Sequence, residues 1–76
     1  MPEAYVLVNT EVGSEDEVLK GLKKLKNVKE AYIVYGAYDI LARVEADSMN
    51  KLKAVTTLDV RKINRVQKTL TMIVTS

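Results

Sequence analysis

A glycine, a phenol and a carboxylate meet in one short stretch, Gly36-Ala37-Tyr38-Asp39, and little else in the chain carries obvious chemistry. There is no histidine and no cysteine. That removes the commonest general base and metal ligand, the thiolate nucleophile and any disulfide. A carboxylate at a turn has two ordinary uses. It can accept a hydrogen bond from a backbone amide of its own turn, as aspartates in loops often do, or it can contact a ligand. Both readings stand open on the residues alone. Gly36 is as readily a requirement of the turn as a point where a ligand nears the backbone. Tyr38 reads first as a packing residue.

The turn needs elements to hold it. "EAYVLVNTE" alternates, with Ala4, Val6 and Val8 on one side and Tyr5, Leu7 and Asn9 on the other, which predicts a first strand. "SEDEVLKGLKKLKN" predicts a helix. Ser14 and Glu17 have the spacing of a capping box, acidic residues precede basic ones along the helix dipole, and Asp16 and Lys20 form an i,i+4 pair. Val18, Leu22 and Leu25 give that helix one apolar stripe, broadened by Leu19, and Asn27 is its expected stop. "VKEAYIVYG" predicts a second strand ending at Gly36. "DILARVEAD" predicts a third, with Ile40, Ala42, Val44 and Ala46 facing a core. The short link between them implies an antiparallel hairpin with Asp39 at its tip. A second helix starts at Met49, capped by Ser48, and is expected to run to about residue 61 despite the β-branched "TTLDV". "RVQKTLTMIVTS" predicts the last strand, with Val66, Leu70, Met72 and Val74 on one face and Gln67, Thr69, Thr71 and Ile73 on the other.

The order is β-α-β-β-α-β, an α+β ferredoxin-like fold with both helices on one face of a four-stranded antiparallel sheet. The other face is expected to carry Tyr5, Leu7, Leu41 and Ile73, and no remaining segment can cover it. An uncovered apolar sheet face marks a partner surface, and two such faces packed together make a symmetric dimer. Size argues the same way. A chain of 76 residues is expected to form one domain, residues 1–76, with little core of its own. Without disulfides or thiolate metal sites, oligomerisation is the remaining source of stability.

Composition excludes several classes. Apolar residues make up 47% of the chain, too many for a disordered segment. A net charge of +2 is too weak for a nucleic-acid surface. No apolar run approaches a membrane span, and the N-terminus lacks the features of a signal peptide. The expectation is a soluble, cytoplasmic protein that needs no cofactor or metal.

Two motifs narrow the function. Glycine-x-tyrosine-aspartate at Gly36-Ala37-Tyr38-Asp39, followed by threonine-x-threonine at Thr69-Leu70-Thr71, resembles the effector domain of the Lrp/AsnC transcription regulators, the RAM domain. The segment "KINRV" resembles the family's Ile-x-Gly-Val, with Arg65 standing where the family has glycine. The resemblance covers essentially the whole chain. It leaves out the family's usual N-terminal helix-turn-helix, so the expectation is a stand-alone RAM domain without direct DNA binding. RAM domains dimerise through their sheets into a barrel-like pair, the dimers assemble further, often into octamers, and free amino acids bind between dimers. The resemblance therefore implies that Gly36, Tyr38, Asp39, Thr69 and Thr71 bind the effector. Asp39 would receive its ammonium, and the threonine hydroxyls and backbone amides near Gly36 its carboxylate. Full-length Lrp/AsnC regulators are further expected partners.

Other functions fit less well. Dimeric ferredoxin-like monooxygenases usually need His, Trp or Asn at set positions, and this chain has neither His nor Trp. RNA-recognition domains stack bases on aromatics of the central strands, and "DILARVEAD" has none. ACT domains share the fold and sense amino acids through a glycine in the first strand-helix loop, where Gly13 stands. A ligand-independent subunit that co-assembles with full-length regulators is the remaining alternative.

Overall fold

Alternation at Ala4, Val6 and Val8 builds the central strand, β1 (Glu3–Thr10). In the computed structural model, which describes residues 1–75, it is followed by α1 (Glu15–Lys23), β2 (Val28–Ile33), β3 (Ile40–Glu45), α2 (Met49–Ala54) and β4 (Val66–Ile73). A π-helical segment over Val55–Asp59 prolongs α2. Ser76, the end of the stretch expected to form the last strand, lies outside the described residues. The strands form one antiparallel sheet in the order β2-β3-β1-β4. This is the expected ferredoxin-like α+β architecture. Ala4, Val6 and Val8 lie beside Val44, Ala42 and Ile40 and are fully buried with them. Val18 and Leu22 of α1, Leu52 of α2 and Val55 and Val60 after it close this core.

The helices depart from expectation at their ends, for identifiable reasons. Ser14 is the N-cap of α1, but its side chain makes no capping bond. The capping box does not form: the Ser14 amide donates to the Glu11 carbonyl at 3.0 Å, and Glu17 lies 3.6 Å from Arg65. No Asp16–Lys20 ion pair forms among the described residues. The helix stops at Lys23 rather than Asn27, whose amide donates to the Glu45 carbonyl at 2.8 Å and anchors the connection to β3. Ser48 does cap α2, accepting from the Lys51 amide at 3.1 Å. Past Ala54 the ladder loosens to π geometry where Thr56 and Thr57 hydroxyls donate to the Leu52 and Lys53 carbonyls. Threonine hydroxyls compete with amides for those acceptors.

The faces of β4 are the main correction. Thr10 lies opposite Val66 while Asn9 lies opposite Lys68, so Gln67 is an extra residue in a β-bulge. Val66 packs on the core as expected. The bulge then reverses every later position. Leu70 and Met72 come to the open face, 43% and 47% exposed. Ile73, expected on the open face, lies opposite Ala4 and packs on the core.

Arg65 precedes this bulge with a φ of +74°, a conformation that favours glycine. Its carbonyl accepts from the Glu11 amide at 3.0 Å, and its guanidinium pairs with Glu11 at 3.1 Å. Left-handed backbone costs a side-chain-bearing residue about 1–2 kcal/mol, whereas exposed ion pairs return less than about 1 kcal/mol. Arg65→Gly is therefore expected to stabilise the fold by about 0.5–1 kcal/mol, read as a higher urea midpoint at unchanged m-value. A fall in the midpoint would mean that the Arg65 ion pairs outweigh the backbone strain.

Candidate functional site

The hairpin tip, residues 34–39, is fastened to the end of β1. The Asp39 amide donates to the Val8 carbonyl at 3.0 Å, and its own carbonyl accepts from the Val34 amide at 2.9 Å. The Asp39 carboxylate accepts from the Thr10 amide at 2.9 Å and, more loosely, from the Asn9 amide at 3.5 Å. That Asn9 amide also donates to the Ala37 carbonyl at 3.1 Å. Asp39 thus bonds a backbone amide, but on the neighbouring strand rather than in its own turn. Both contacts use Oδ2, which leaves Oδ1 for another donor. Gly36 is exposed with a φ of +154°, and nothing lies within 4 Å of where a Cβ would stand. Conformation, not crowding, sets the preference for glycine there. Tyr38 is half-buried beside it.

The expected site residues do not converge on one face of a single chain. Thr69 lies opposite Val8 and Thr71 opposite Val6, so both lie on the helix-covered side of β4 and are half-buried. Asp39 reaches the opposite side with Asn9. A groove of about 660 Å³ lies elsewhere again. Asp16, Lys20 and Gly21 of α1 and Lys24 just after it line it with Ile63 and Asn64, and none of the five expected residues does. Among the described residues no cluster of carboxylates has the arrangement of a metal site.

The open sheet face carries two cross-strand rows. Tyr32, Leu41, Leu7 and Leu70 form one, and Glu30, Arg43, Tyr5 and Met72 the other. Tyr5, Leu7 and Leu41 stand where expected. Sequence reasoning missed the cluster around Arg43. Its Nη1 donates to Glu3 at 3.1 Å and to Glu45, and its Nη2 donates to Glu30 at 3.2 Å. The bonds to Glu45 and then to Glu3 hold the guanidinium proton above its already high range. The Tyr32 hydroxyl donates to Glu30 at 3.2 Å, and that bond, with the Glu30 charge, raises the phenol above its usual value. Alternation placed Arg43 and Glu45 on one face; Glu3 and Glu30 needed the strand register to join them.

Residues 3–76 match the family model described as the Lrp/AsnC ligand binding domain. Among solved structures, FFRP-DM1 is 41% identical, with a TM-score of 0.93 over 99% of this chain and 100% of that one. AsnC from E. coli is 26% identical, with a TM-score of 0.90 over 99% of this chain and 51% of that one. The transcriptional regulator NMB0573 of Neisseria meningitidis, described as an L-Met complex, is 17% identical. Its TM-score of 0.84 spans 99% of this chain and 50% of that one and speaks for the fold alone. The chain thus spans about half the length of these two regulators. No curated protein matches it. The chain belongs to the Lrp/AsnC ligand-binding domain family.

The Glu30–Tyr32 pair gives a direct check on the open face. In the folded protein Tyr32 is expected to ionise above its ordinary 10.0. The raised value means that the fold favours the neutral phenol. That stabilisation is complete below the ordinary value and fades as pH rises through the folded one. Ultraviolet titration of Glu30→Gln is expected to bring one tyrosine back towards 10.0. An unchanged titration curve would mean that the bond does not form in solution.

Proposed function

We propose that this Lrp/AsnC ligand-binding domain senses a free amino acid at the hairpin tip and couples its binding to assembly through the open sheet face. The observation that carries the reading is the hairpin carboxylate. Asp39 is fixed by the end of β1 yet keeps Oδ1 unengaged, and a fixed carboxylate suits the ammonium of an α-amino acid. Exposed Gly36 gives that ammonium's owner access to the backbone, and Tyr38 walls the side-chain end. Thr69 and Thr71, on the far side of the sheet, contribute only across a subunit boundary, consistent with effector binding between dimers. The apolar row through Leu7 and Leu41 supports a dimer formed by two open faces. Tyr32 is 54% exposed and Met72 47% in the lone chain, a large apolar area for a protein of this size. Regulation without catalysis is the role proposed for it, in the cytoplasm, and octamers or mixed assemblies with full-length regulators extend the same surfaces.

Light scattering on the purified chain, with and without each of the twenty amino acids, tests this. The expected result is a dimer or larger assembly whose mass or stability shifts with particular amino acids. An assembly indifferent to all twenty would favour a ligand-independent interaction subunit. Two variants separate the parts. Leu41→Lys is expected to give a folded monomer, because it sets a charge in the middle of the apolar row; a persistent dimer would move the interface elsewhere. Asp39→Asn keeps an acceptor for the Thr10 amide but removes the charge. It is expected to lower affinity about tenfold or more, and unchanged affinity would remove Asp39 from ammonium binding.

A further inference from the structure

An amino acid bound at Asp39 presents a carboxylate as well as an ammonium, and the threonine hydroxyls lie on the wrong side of this chain's sheet to meet it. On the other side of the apolar row Tyr32–Leu41–Leu7–Leu70 from the Arg43 row runs a third, polar row. Asn9 stands at its centre on β1, with Asp39 hydrogen-bonded to it from the β3 side and Lys68 directly opposite it on β4. The β4 bulge creates this alignment. It puts Val66 on the core and turns Lys68 to the open face beside Asn9. Lys68 is exposed and enters no ion pair among the described residues. The row thus reads carboxylate, amide, ammonium across three neighbouring strands.

We infer that Lys68 is the carboxylate-binding residue of the effector site, with Asp39 taking the ammonium of the same zwitterion and Asn9 lying beneath it. The assignment rests on the amino-acid reading above and adds the partner which that reading lacks within one chain. The dimensions suit it. Neighbouring strands lie about 4.8 Å apart, so the backbones bearing Asp39 and Lys68 are about 10 Å apart. Asp39 leans inward to Asn9, and the four-carbon stem of Lys68 can fold over β1, which narrows the gap to the span of an α-ammonium and an α-carboxylate. Asn9 spends its amide hydrogens on Ala37 and Asp39. Its carbonyl oxygen remains an acceptor for the ammonium. Selectivity follows from the charges: a free amino acid satisfies both ends of the row, whereas an amino-acid amide or a simple carboxylic acid satisfies one.

Calorimetric titration of the full chain tests this, first with each of the twenty L-amino acids and then with the α-carboxamide of the tightest binder. The wild type is expected to prefer the acid to its amide by about tenfold or more. Lys68→Gln is expected to erase that preference by weakening the acid alone, Lys68→Arg to restore it, and Lys23→Gln, an exposed change at the end of α1, to leave it intact. Equal affinity of wild type and Lys68→Gln for the acid would overturn the assignment while leaving the amino-acid reading standing. No binding by the wild type to any of the twenty would overturn both. Lys68 is exposed, so its variants are expected to fold, and coincident thermal unfolding curves check that.

Discussion

β1 is hydrogen-bonded along both edges, and this double pairing fixes where every other side chain of interest falls. Its inward residues, Ala4, Val6 and Val8, have no exposed surface and define the core side of the sheet. Its outward residues, Tyr5 and Leu7, stand within the row that carries Arg43 and within the apolar row of the open face. Its last residues, Asn9 and Thr10, receive the hairpin from one side and the bulged start of β4 from the other. An unpaired amide at a strand end costs free energy if it is buried. Here the next ladder acceptor is replaced by the Asp39 carboxylate, so the hairpin tip is held by the same group that gives it its charge.

The alternating strands and amphipathic helices were legible because period-two and 3.6-residue patterns report burial directly. Ile40, Ala42 and Val44 needed nothing but their own spacing. Strand four was not legible in the same way. Val66 packs half-buried on the core, and simple alternation from Val66 carries Leu70 and Met72 inward and Ile73 outward. One inserted residue, Gln67, reverses that result, and no residue type in "VQKT" announces a bulge. Local pattern specifies a strand; its register against a distant partner is specified by packing that the pattern does not contain.

Competition between partners explains the remaining differences. Glu17 has the spacing for a capping box, but the Ser14 amide goes to the Glu11 carbonyl and Glu17 lies 3.6 Å from Arg65, far along the chain. Thr56 and Thr57 take the Leu52 and Lys53 carbonyls that helix amides would otherwise use. The Arg43 cluster draws carboxylates from three strands. In each case the sequence showed a group able to bond and a nearby partner, while the fold supplied a better one from a distance. The candidate site follows the same rule. The carboxylate of Asp39 was visible in the turn, but its engagement with Thr10 and the alignment of Asn9 with Lys68 exist only once β1 has both neighbours.

The arrangement also bears on how binding and assembly could be linked. The polar row Asp39–Asn9–Lys68 borders the apolar row Tyr32–Leu41–Leu7–Leu70 on one rigid sheet. A zwitterion bridging the polar row would neutralise Asp39 and Lys68 beside the surface proposed to pair with a second copy. Two such charged edges brought together without ligand would lose hydration with incomplete compensation, whereas ligand-filled edges would not. Any difference of that kind is a coupling free energy, and it acts in both directions: the ligand that favours pairing binds more tightly to the paired form. A sheet with one face given to the core and the other divided between apolar and charged rows therefore needs no moving part to make assembly respond to a small molecule.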